Sequence, residues 1–191
     1  MSHPPNQSSL RPVLLIVMGV SGSGKSSVAE ALAQHYQYHY LDADDFHSDE
    51  AKAQMAAGVP LTDEMRVPWV HNICAHLKDY AQKNASCTLA FSGLRRSHRD
   101  QLRQLPFTIV FVYLCGTKSL IAERMSAREG HFMPASLLDS QFASMEDSSD
   151  EADVVAIDIS PELSQVITNC LHRIEPFLAT RAVESSQPGV D

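Results

Sequence analysis

A chain of 191 residues with 23 acidic and 15 basic side chains, net charge −8, is long enough to bury one sizeable core. It is too acidic overall for a general nucleic-acid binder, which neutralises phosphates with an excess of Lys and Arg. No run approaches the roughly 18 apolar residues of a membrane span, and the opening MSHPPNQSSLRP lacks the basic-then-apolar order of a secretory leader. A cytoplasmic protein is expected, acting on small molecules without nucleic acid or membrane.

In chain order, residues 1–11 read as a disordered tail, polar and Pro-rich. Val13–Met18 is apolar at consecutive positions, the pattern of a strand buried on both faces. The stretch GVSGSGKS, Gly19 to Ser26, follows it and precedes a predicted helix over Lys25–Tyr36, so it matches G-x-x-x-x-G-K-[ST] in the required setting. Its glycines let backbone N–H groups turn inward on phosphates, and the helix N-terminus adds partial positive charge. Gly19, Val20, Ser21, Gly22, Ser23, Gly24, Lys25, Ser26 and Ser27 are therefore candidate nucleotide-binding residues. In this motif the lysine reaches the β- and γ-phosphates and the serine hydroxyl meets Mg²⁺.

A weaker strand, Tyr38–Leu41, leads into LDADDFH. In extended chain Asp42 and Asp44 point the same way, one to orient Mg²⁺ and the other to hold the acceptor or take a hydroxyl proton. His47 adjoins this motif. Helices are expected over Asp49–Ala57 and Pro68–Gln82, the second started by Pro68 at a first-turn position and carrying Val70, Ile73, Cys74 and Leu77 at helical spacing. Trp69, the lone tryptophan, reads as a core anchor, and His35, His39, His71 and His76 carry no metal spacing.

The strand Cys87–Phe91 is followed by GLRRSHRDQLR, which crowds Arg95, Arg96, Arg99 and Arg103. With Arg66 of TDEMRVPW and with Arg124 and Arg128, these form three cationic groups suited to anionic ligands. The strand Phe107–Leu114, helices Leu120–Arg128 and Ser136–Met145, the weaker strand Val154–Ile157 and a helix Leu163–Phe177 complete the pattern. His131 lies beside Arg128 in EGHFM. Residues 12–178 form one expected domain, and 179–191 a second disordered tail. Cys74, Cys87, Cys115 and Cys170 form no C-x-x-C pair and read as reduced thiols. Five strands alternating with helices predict an α/β domain with a mainly parallel sheet.

Taken together, GVSGSGKS, LDADDFH, MAAGVPLTDEMRVPW, SGLRRSHRD, REGHFM and SQFASMED resemble the gluconokinase family of small sugar-acid kinases, from about Val13 to Ile174. The resemblance implies a three-layer P-loop NTPase fold with a parallel five-stranded sheet and a helical lid at about 124–145. It implies ATP with Mg²⁺, phosphorylation of the terminal hydroxyl of D-gluconate, and a homodimer. By position, Arg124 and Arg128 belong to the lid over ATP, with His131 beside them. Asp44, His47, Arg66, Arg95, Arg96, Arg99, His131 and Gln141 fall on the acceptor side, and Lys25, Asp44, Arg124 and Arg128 carry the transfer.

Ala51, Gln54, Met65, Phe91, Gly93 and Arg95 depart from the family pattern. Ala51 stands where Asn is usual, Met65 where Asp is, and Arg95 where Lys is. A changed acceptor is one consequence of such losses. The competing readings are another small-molecule kinase on this fold, and an ATP-binding regulatory protein without turnover. Acceptor-dependent ADP release separates the three.

Overall fold

A computed structural model of the chain describes residues 11–126 and 135–184. Five parallel strands form the sheet: β1 (Val13–Met18), β2 (His39–Asp42), β3 (Cys87–Phe91), β4 (Thr108–Cys115) and β5 (Val154–Asp158), in the order β2-β3-β1-β4-β5. Central β1 pairs with both β3 and β4, setting Ile16 against Leu89 on one side and Phe111 on the other. Its consecutive apolar residues feed two cores. Leu15 and Val17 enter the layer that holds Leu32, Val110, Val112, Cys170 and Ile174, while Leu14, Ile16 and Met18 enter that of Val70, Ile73, Leu77, Leu89 and Phe111. This is the three-layer α/β architecture expected.

Helices α1 (Lys25–Tyr36) and α7 (Leu163–Glu184) cover the first face, and α3 (Asp63–Gln82) and α4 (Arg96–Arg103) the second. The remaining helices are α2 (Asp49–Ala56), α5 (Lys118–Ser126) and α6 (Ala135–Ser144). The edge strand β5 alternates buried Val155 and Ile157 with exposed Ala156 and Asp158, which is why its sequence signal is weak. Among the described residues no helix is long and apolar enough to cross a membrane.

Four expectations need correction. Pro68 does not open α3, because the Thr62 side chain accepts the N–H of Met65 and the helix begins at Asp63. Pro68 sits inside, where its ring withholds the N–H that the Glu64 carbonyl would take; Glu64 is exposed, so water can serve it. Helix α4 is not among the expected helices, because it carries no apolar repeat: its buried side is His98, Arg99 and Leu102. Asp42 and Asp44 do not share an extended strand. Asp42 ends β2 and caps a 3₁₀ turn, Ala43–Phe46, by accepting the Asp44 N–H at 3.0 Å. Finally, α7 runs through Pro176 to Glu184, past the helix end expected at Phe177. The tail expected at residues 1–11 lies, apart from Arg11, outside the described residues, as does 185–191 of the second tail.

Candidate active site

Ligands of open parallel sheets sit beyond the carboxyl ends of the strands, near the point where strand order reverses. Here the chain segments leaving β1, β2 and β3 line one cleft of about 630 Å³. Its floor is Ser21, Gly22, Gly24, Lys25, Ser26 and Ser27; one wall is Asp42, Asp44, His47, Arg66 and Trp69; and Leu137, Ser140 and Gln141 of α6 close it from the other side.

The loop is shaped by close contacts. A Cβ on Gly19 would stand 2.9 Å from the Leu114 carbonyl oxygen and the Ser23 Oγ, at φ +147, so only glycine fits. Val20 and Ser23 are buried beneath the loop and shape it from within. At Gly24, φ +95, a Cβ would meet no protein atom within 4 Å, so this backbone opens on the cleft. No side chain caps α1 at Gly24. Its first N–H groups thus remain available to an anion, with the helix dipole behind them. Lys25 donates from Nζ to the Val20 carbonyl at 3.0 Å. These features fit a nucleotide triphosphate.

Asp42 organises the loop's far side. One carboxylate oxygen accepts the hydroxyls of Ser26 (2.9 Å) and Tyr40 (3.0 Å), and the other accepts the Asp44 N–H. Two hard oxygen donors, Ser26 and Asp42, suit Mg²⁺. No sequence motif marks Tyr40, whose hydroxyl burial pushes up to about 12, keeping it a donor to Asp42. The Asp44 side chain is open to the cleft, yet the cleft walls desolvate it and Asp42 adds negative charge, so its pKa is raised. Lys25 opposes that shift.

His47 is buried, lies flat on Trp69 (centroids 4.4 Å apart, planes at 10°) and holds Nε2 3.9 Å from the Asp44 carboxylate. Trp69 in turn stacks on Phe91 and donates Nε1–H to the Ala43 carbonyl at 2.7 Å. The tryptophan is therefore both the expected core anchor and part of the cleft wall. Burial lowers the His47 pKa below the ordinary imidazole value, against the Asp44 charge, with Lys52 and Arg66 adding to the fall. Because Trp69 is the single tryptophan, its fluorescence is expected to be quenched as pH drops through that lowered value and the imidazolium forms against the ring. A His47→Gln variant should lose this titration. A titration unchanged in the variant would rule His47 out as its source.

The arginines separate by position. Arg66 lines the cleft and donates to Asp63 at 3.2 Å. Arg95 donates to the other oxygen of Asp63 at 3.2 Å and to Glu146 at 3.4 Å. Asp63 thus orients Arg66. Arg96 pairs with Asp150 at the surface. Arg99 is wholly buried in a network with Glu151 and the Gly93 carbonyl, and does not line the cleft. Arg124 donates to the carbonyls of Ile159 (2.6 Å) and Pro161 (3.1 Å), away from the cleft lining. Arg128 and His131 lie outside the described residues.

Of the departures, Ala51 is buried, Gln54 donates to the Pro60 carbonyl at 3.0 Å, and Phe91 supports Trp69. Gly93, at φ +62, leaves no room for a Cβ beside Met18. None of these four lines the cleft.

Comparison with known proteins agrees with this arrangement. Residues 14–151 match the family described as an AAA domain. A gluconokinase of Gluconobacter oxydans (strain 621H) is 39% identical over 157 residues, covering 82% of this chain and 88% of its own. The crystal structure of a gluconokinase from Sinorhizobium meliloti 1021 superposes with a TM-score of 0.82 at 38% identity, over 93% of this chain and 99% of that one. A sugar kinase from Janibacter sp. HTCC2649 gives 0.81 at 39% identity, over 86% and 95%.

Proposed function

We propose that this chain, which belongs to the gluconokinase family, transfers the γ-phosphoryl group of ATP to the terminal hydroxyl of D-gluconate, giving 6-phospho-D-gluconate and ADP. The observation that carries the reading is the uncapped start of α1 facing Asp44 and Arg66 across one cleft. One side receives phosphates and the other a hydroxylated anion.

The loop amides and Lys25 hold the triphosphate and stabilise charge on the transferring group. Arg66, fixed by Asp63, meets the acceptor carboxylate. Asp44 aligns the attacking hydroxyl and takes its proton as the new P–O bond forms and the bond to the ADP oxygen breaks. Ser26 and Asp42 are the residues to hold Mg²⁺, which supplies charge neutralisation when bound. Alignment contributes more than base strength, since a loose transition state asks little early proton removal. By resemblance, Arg124 and Arg128 would act in the lid over ATP, with His131 beside them; Arg124 must then leave the Ile159 and Pro161 carbonyls. A cytoplasmic homodimer is part of the same reading, on family likeness.

The test is ADP release with MgATP in the presence of D-gluconate, other sugar acids, shikimate or no acceptor. Strong stimulation by gluconate supports the reading; stimulation only by another acid assigns a different acceptor, and none at all favours a regulatory ATP binder. Asp44→Asn is expected to lower kcat about 10²-fold with the gluconate KM little changed. Full activity in that variant would remove Asp44 from the mechanism.

A further inference from the structure

Gln141 was expected at the acceptor, but both ends of its amide are engaged elsewhere. Its oxygen accepts the backbone N–H of Ser21 at 2.6 Å, and its nitrogen donates to the Ser21 hydroxyl at 3.0 Å. An amide that offers one acceptor and one donor to a single residue makes a two-point contact that no aliphatic side chain reproduces. The opposite flank of the same tip is held by packing: a Cβ on Gly22 would fall 2.5 Å from the Met125 Cγ and 3.2 Å from the Ile121 Cγ2. The Ser21–Gly22 tip is therefore gripped from α5 and from α6.

The chain just past the C-terminal end of α6 is anchored as well, at Glu146. Glu146 accepts the N–H of Arg96, at the start of α4 where no neighbouring side chain caps, and pairs with Arg95. On the N-terminal side of Gln141 in the same helix, Leu137 and Ser140 line the cleft. Helix α6 and the chain that leaves it thus connect the phosphate loop to Arg95 and Arg96.

We propose that Gln141 is a positioning residue for phosphoryl transfer, clasping the tip of the phosphate loop to α6 so that the loop and the wall of the cleft keep one geometry. The proposal rests on the kinase reading above. In-line transfer is sensitive to displacements of about 1 Å. A wall that lifts from the loop also admits water to the γ-phosphoryl group, which is then lost to hydrolysis.

Gln141→Ala, Gln141→Glu, Ser21→Ala and the double Ser21→Ala/Gln141→Ala would be compared with the wild type. Readouts are kcat, KM for ATP, the ratio of ADP released to phosphoester formed, and thermal midpoint. Gln141→Ala should lower kcat about tenfold and raise the ratio above that of the wild type. Gln141→Glu still accepts both Ser21 hydrogens, so its ratio should stay near wild type while its charge beside the phosphates raises the ATP KM. Ser21→Ala should show a smaller loss in kcat and add nothing to Gln141→Ala.

Wild-type kcat and ratio in Gln141→Ala overturn the proposal, as do losses explained by the unfolded fraction alone or additive with Ser21→Ala. Should the wild type show no acceptor-stimulated turnover, the kinase reading fails separately. The clasp is then judged by ATP affinity, which Gln141→Ala must weaken about fivefold through loss of loop preorganisation; equal affinity overturns it.

Discussion

Replacing Glu151 by alanine is expected to cost the fold about 3–5 kcal/mol, because it strands a buried guanidinium without its counter-charge. Arg99 has 0% exposure, and its partner Glu151 side chain 2%. The Arg99 guanidinium donates to Glu151 through Nε at 3.0 Å and again through Nη2, and to the Gly93 carbonyl at 2.7 Å; Arg103 also reaches Glu151. Burial pushes the Glu151 carboxyl up, but the hydrogen bonds and charges of the two arginines outweigh it, and the net shift is downward. A carboxyl whose folded pKa lies below its unfolded one contributes stability above the ordinary carboxylate range and loses it as pH falls through the folded value.

Urea melts at neutral and acid pH would check both parts. The double variant Arg99→Met/Glu151→Leu should recover most of the loss, since apolar replacement of a whole buried pair is often neutral, and should lose this share of the acid sensitivity. An alanine variant as stable as the wild type would show that water, and not Glu151, satisfies Arg99.

This ion pair also marks where sequence reading stops. The phosphate loop, β1 and α1 were legible because their determinants are local: a glycine where a Cβ has no room, a lysine at the helix start, a run of apolar residues feeding two cores. Helix α4 was not, since a helix that buries Arg99 and His98 shows no apolar stripe and looks like a solvated charge run. Four arginines counted as one cationic patch divide into a cleft neighbour, a surface pair and two structural ions once residues 146–153 supply acidic partners. The aspartates of LDADDFH were found correctly as neighbours of the loop but not in their geometry, because the capping bond from the Asp44 N–H turns the chain between them. Gln141 and Ser21 are 120 positions apart, and no spacing rule joins residues that far removed.

Lys25→Ala is expected to lower gluconate-dependent turnover on the order of 10³-fold, the scale of losing a preorganised cation aimed at transferring charge. Lys25 is the first residue of α1, so its stem leaves a rigid helix, and its ammonium donates to the neutral Val20 carbonyl, a partner that phosphate oxygens can replace. The substitution leaves the helix N–H groups, Ser26 and its bond to Asp42 in place. ATP should therefore still bind, more weakly, and the thermal midpoint should change little. Lys25→Arg should fail nearly as badly, because the guanidinium is broader and donates in a fixed planar fork instead of from a compact point charge. Steady-state rates, ATP titration by calorimetry and a thermal scan on the three proteins decide it. A variant that kept a tenth of wild-type turnover would mean that α1 and its amides carry the charge stabilisation and that Lys25 mainly holds the loop through Val20.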